Sequence, residues 1–89
     1  MTRSRLDELS DDYERAELRF LMAVRGDAQR SQLAVLVRDV ATAAERFNAE
    51  AYRRLHTGVE DAWMPLDQLT ERTEVLAELW ADIASAYEA

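Results

Sequence analysis

Cysteine and lysine are both missing from this 89-residue chain, glycine occurs twice and proline once. Without cysteine there is no disulfide framework, no thiolate metal site and no thiol nucleophile, and a reducing compartment is the natural expectation. Three glycines and prolines together are too few for the turns of a β-sandwich or barrel. No apolar run approaches the ~20 residues that span a bilayer. The opening Met1-Thr2-Arg3-Ser4-Arg5 leads into charge and not into the apolar region of a signal peptide. The sequence therefore reads as a mature, soluble, cytoplasmic protein.

What is present is helical in character. Apolar residues make up 48% of the chain, enough for one modest core, and Ala, Leu, Glu and Arg dominate the composition. The formal charge is −7, unevenly placed. Residues 1–25 carry five arginines against six acids and residues 26–56 five against four, whereas residues 57–89 carry Arg72 alone against eight acids. A uniformly basic face is absent, so direct nucleic-acid binding is not expected.

Three stretches carry apolar residues at the three-four spacing of one helix face. In the first, about 4–25, the line is Leu6, Leu9, Tyr13, Ala16, Phe20 and Val24, with Ser4 as N-cap and Asp7 three residues on. Gly26-Asp27 reads as a stop and a restart: glycine in the left-handed region, aspartate as the next N-cap. In the second, about 28–56, Leu33, Val37, Val40, Ala44, Phe47, Ala51 and Leu55 form a line widened by Ala34, Leu36, Ala41 and Ala43. A stripe that wide suits a helix with two neighbours. Gly58 ends it, and Pro65 fits the first turn of a third helix over 65–88. There Leu66, Leu69, Thr73, Leu76, Trp80, Ile83 and Tyr87 form one seam, and Asp67, Glu71, Glu74, Glu78 and Asp82 another about half a turn away. The expectation is a single all-α domain over residues 1–89, an elongated three-helix bundle of antiparallel amphipathic helices. Helices of these lengths measure roughly 33–44 Å, so either the bundle is slender or the second helix kinks. A slender bundle leaves apolar seam near its surface, which favours self-association as a dimer.

No catalytic, cofactor or metal site is expected. His56 is the only histidine and lacks partners at ligand spacing; there is no Glu-x-x-His pair, no phosphate loop and no EF-hand loop. Two features point outward instead. The acidic stripe Asp67, Glu71, Glu74, Glu78 and Asp82 reads first as a solvated face, relieved by arginines of the other helices, and alternatively as a docking face for a basic partner. The link 57–65 carries Val59, Trp63 and Met64 where polar residues are usual; Trp63 either caps the bundle end or, with Met64, anchors a partner.

One resemblance concerns the first helix. Leu6-Asp7-Glu8-Leu9 followed by Tyr13-Glu14-Arg15-Ala16 resembles the opening helix of the all-helical chorismate mutases, themselves short three-helix dimers. The likeness covers the first quarter of the chain and implies a related fold, with Arg5 and Arg15 the residues an activity of that kind would need. Ser10 stands where that family carries an arginine, and the family's lysine late in the helix has no counterpart, which removes cations that a dicarboxylate requires. The Trp-x-Gly turn of small secreted helical hairpins is absent, since the tryptophan motifs read Trp63-Met64-Pro65 and Trp80-Ala81-Asp82.

The function these observations favour is a non-catalytic helical protein–protein interaction module, a self-associating subunit or adaptor of a larger assembly. An acidic inhibitor of antitoxin type, blocking a basic or nucleic-acid-binding surface, is the alternative. A chorismate-mutase-like enzyme is a remote third.

Overall fold

A computed structural model describes residues 4–58 and 62–88 of the chain. They form an all-α bundle of three helices, α1 (Arg5–Arg25), α2 (Arg30–Thr57) and α3 (Leu66–Glu88), each running opposite to the one before it. Val59, Glu60 and Asp61 of the link before α3 lie outside the described residues.

The helix ends follow local chemistry. Ser4 caps α1, its Oγ accepting the Asp7 N–H at 3.1 Å. At the α1–α2 corner the expected roles of Gly26 and Asp27 are displaced by one residue. Gly26 stays at φ −87° while Asp27 takes the left-handed conformation at φ 57°. Aspartate tolerates that region better than most side chains, and placing it there lets the Ala28 N–H reach back to the Ala23 carbonyl at 3.1 Å. The N-cap of α2 is consequently Gln29, not Asp27, and the Gln32 side chain accepts the Gln29 N–H at 3.3 Å. At the other end of α2, Gly58 adopts φ 72° and donates to the Arg54 carbonyl. Pro65 stands just ahead of α3, and its carbonyl takes the Leu69 N–H at 3.0 Å.

Because α2 is unbroken over its 28 residues, the bundle resolves the length problem by being slender: its Cα extents are 43 × 29 × 14 Å. The wide stripe of α2 does what two neighbours demand. It packs on α1 and on α3, whereas no Cα of α1 comes within 8 Å of a Cα of α3. Large aromatic side chains fill the space between those two helices. Phe20 lies edge-on to Trp80 at 5.7 Å and to Tyr87 at 5.8 Å, and the Trp80 indole N–H donates to the Tyr13 hydroxyl at 2.9 Å. Leu6, Leu9, Ala16, Val37, Val40, Ala44, Ala51, Leu66 and Leu69 complete the core. The lines drawn from sequence overrun it at two ends: Val24 and Leu55 are exposed, because each lies beyond the last turn that a neighbouring helix covers.

Polar groups tie the α2–α3 interface. The Asn48 amide donates to the Thr70 carbonyl at 3.1 Å and to Thr73 Oγ1 at 2.9 Å, and Thr73 in turn donates back to the Leu69 carbonyl at 2.9 Å. At the far end Arg30 donates to the Ala86 carbonyl at 2.9 Å with its guanidinium 5.6 Å from the Tyr87 ring, and Arg38 pairs with Glu88. These two arginines meet the negative end of the α3 dipole, which has no basic residue in its own last turn.

Candidate interaction surfaces

The acidic stripe is built by α3 alone. Asp67, Glu71, Glu74, Glu78 and Asp82 are all exposed, as a helix face half a turn from the core line must be. The arginines of α1 and α2 do not reach it. None of the five carboxylates takes an ion pair or hydrogen bond from another described residue. Several of those cations are engaged elsewhere: Arg5 with Glu8 at 3.4 Å, Arg15 with Asp12 at 2.6 Å, Arg53 with Glu50 at 2.6 Å. The expected relief across the bundle therefore fails for a geometric reason. The stripe faces away from α2, and α1 lies on the opposite flank of α3.

Trp63 and Met64 divide between the two roles the sequence left open. Trp63 leans on the Phe47 ring at 6.2 Å, yet 54% of it is exposed, so it covers the edge of the core and still offers a large apolar surface. Met64 packs partly against the core, beside Leu55, Pro65 and Leu66. Neither residue is hydrogen-bonded to the acidic stripe among the described residues; Asp67 is the stripe member nearest to them along the chain.

Sequence reasoning missed the outward apolar residues. On α1, Leu18, Leu21 and Met22 are exposed; on α3, Val75 is 60% and Leu79 50% exposed. At about 100° per residue these five fall on the outer sides of α1 and α3, and Val35 and Tyr52 are exposed on α2 as well. The signal was available, but the core lines were so regular that these residues looked like interruptions. Next to the α3 patch, Gln68, Glu71, Arg72, Val75 and Leu76 line a shallow groove of about 590 Å³. A second, polar groove of about 380 Å³ between α1 and α2 is lined by Asp12, Arg15, Arg19, Asp39 and Arg46, among others.

No family model, curated protein or solved structure matches this chain. Its surfaces must be read on their own terms.

Three titrating groups among the described residues have shifted affinities for protons, Tyr13, Glu50 and Arg53, the last raised by its hydrogen bond to Glu50. Burial pushes the Tyr13 hydroxyl up to about 12, helped by the 2.6 Å hydrogen bond it donates to Glu17. Glu50 is held below its ordinary value, first by its hydrogen bonds from Arg53, against some opposing burial, and then by Arg54. Arg54 itself is buried, an exception among arginines that the carboxylate four residues earlier accounts for. His56 stacks near Tyr52, ring centres 4.9 Å apart, at the exposed end of α2. Among the described residues no three acidic, histidine or cysteine side chains converge as a metal-binding group, and no helix is long and apolar enough to cross a membrane.

Proposed function

We propose that the chain is a non-catalytic protein–protein interaction module that self-associates and serves as a subunit or adaptor of a larger assembly. The observation that carries this reading is the set of large apolar residues left uncovered on the outer sides of α1 and α3, Leu18, Leu21, Met22, Val75 and Leu79. Single exposed leucines need no explanation, but several large apolar residues within two turns of α1 (Leu18, Leu21, Met22) and of α3 (Val75, Leu79) suit an interface. Trp63, Met64 and the stripe from Asp67 to Asp82 are the second, partner-facing surface, suited to a protein with a basic face.

The alternative, an acidic inhibitor of a basic or nucleic-acid-binding site, draws on the five carboxylates that have no ion pair among the described residues. Salt dependence separates the two. Binding through the stripe weakens steeply as ionic strength rises, whereas association through apolar seams changes little. Light scattering over a range of concentrations, at low and high salt, tests the main reading. A dimer that persists at both supports it, and a monomer at every concentration and both salts refutes it.

A further inference from the structure

The outer side of α3 carries a second line that is not part of the core. Gln68, Arg72, Val75, Leu79, Asp82 and Ala86 are spaced four, three, four, three and four residues apart, and all six are exposed. That is the spacing of a two-stranded coiled-coil seam, and at about 100° per residue the line runs along the side of α3 opposite its α2-packed residues Thr70, Thr73 and Ala84. It extends for about 27 Å at 1.5 Å per residue. Its order is symmetric about its own midpoint: a polar or small residue at each end, one charge of each sign inside those, and the two apolar residues at the centre.

We infer that α3 pairs with the α3 of a second copy in antiparallel fashion, about a two-fold axis passing near residue 77. This inference deepens the self-association reading and rests on it. Antiparallel pairing sets Val75 against the partner's Leu79 and Arg72 against the partner's Asp82, each twice by symmetry. Parallel pairing in register sets Arg72 against Arg72 and Asp82 against Asp82, so the charges select the direction. A pattern that complements itself on reversal is what a closed two-fold interface requires and what a foreign partner does not. Arg72 and Asp82 have no ion pair among the described residues, and Arg72 is the only cation of α3. On one flank of the seam Leu76 and Ile83, half-covered in the single chain, gain apolar cover. On the other flank Glu78 faces its own symmetry mate, an adverse contact within an otherwise complementary set. One helix pair of this length is a small interface, so the dimer dissociates on dilution.

Charge exchange tests the pairing. Sedimentation equilibrium is run on the wild type and on Arg72→Glu, Asp82→Arg, the double exchange, and a mixture of the two single variants, with circular dichroism confirming the helix content of each. The expected result is a roughly tenfold weaker dimer for each single variant, and recovery both in the double variant and in the mixture. Leu79→Arg weakens the dimer on the order of a hundredfold while Leu18→Arg leaves it unchanged. Failure of the double variant and the mixture to recover overturns the antiparallel α3 pair. A dimer broken by Leu18→Arg and not by Leu79→Arg also overturns it, and leaves self-association through α1 standing. A wild type monomeric at every concentration removes both readings together.

Discussion

Replacing Tyr13 by Phe removes one oxygen atom from the centre of the bundle and keeps the ring. The Trp80 indole N–H, which donates to that oxygen at 2.9 Å, then loses its acceptor, and Glu17 loses the hydroxyl donating to it at 2.6 Å. Trp80 is 8% exposed and Tyr13 7%, so water replaces the missing oxygen poorly. Ring packing against Phe47, centroids 6.5 Å apart, is retained. The loss is therefore that of an orphaned buried donor, about 1–3 kcal/mol. In a domain of this size about 1.5 kcal/mol lowers the melting temperature by roughly 6–12 °C.

The same substitution has a signature in alkali. The folded-state affinity of Tyr13 for its proton is raised, from 10.0 to about 12. Its contribution to stability is thus complete below pH 10.0 and is lost as the pH rises through about 12. Tyr13→Phe lowers stability at neutral pH and removes this part of the alkaline decline. Thermal melts followed by circular dichroism at neutral and alkaline pH read both effects. A variant that melts within a degree of the wild type at neutral pH refutes the claim that the Trp80–Tyr13–Glu17 chain joins α1 to α3.

Four further substitutions probe other parts of the structure. Asp27→Gly places glycine at the φ of 57° and is expected to raise stability by about 0.5 kcal/mol; a lower melting temperature would show that the aspartate side chain is needed at that corner. Thr70→Val removes a buried hydroxyl that has no hydrogen-bond partner among the described residues, so a change from neutral to about 1 kcal/mol stabilising is expected in urea unfolding, and a clear loss contradicts it. Glu50→Gln bears on acid stability: a carboxylate held below its ordinary value contributes stability above the usual carboxylate range and loses it as the pH falls through its depressed value, so the glutamine variant is weaker near neutrality and the gap closes on acidification. Glu78→Gln relieves the one adverse contact of the α3 pair, and sedimentation equilibrium is expected to show a dimer about two- to fivefold tighter.

The fold was legible because its core lines are long and regular. Leu6 to Phe20, Val37 to Ala51 and Leu66 to Trp80 hold the three-four spacing without a break, and the helix bounds followed to within two residues. The corner at Gly26-Asp27 was misassigned because both residues accept the left-handed region, and only the reach of the Ala28 N–H to the Ala23 carbonyl decides between them. The fate of the acidic stripe could not be read from charge counts. It depends on which flank of α3 faces the arginine-bearing helices, a relation that one-dimensional spacing does not contain.

The surfaces were harder to read than the core for a related reason. A core line consists almost wholly of apolar residues and stands out against its polar background. The outer line of α3 mixes Gln68, Arg72 and Asp82 with Val75, Leu79 and Ala86, so half of its residues do not show in apolar spacing. What reveals it is exposure. Val75 and Leu79 become informative once the structure shows that neither α1 nor α2 covers them, and Arg72 once it is seen to lack the intrahelical partner that neighbouring carboxylates seem to offer. The two lines of α3 thus obey one spacing rule for different ends: the largely apolar line, with Thr73 within it, packs inside the chain, while in the α3 pair we propose the mixed line trades apolar area for charges that fix the direction of pairing.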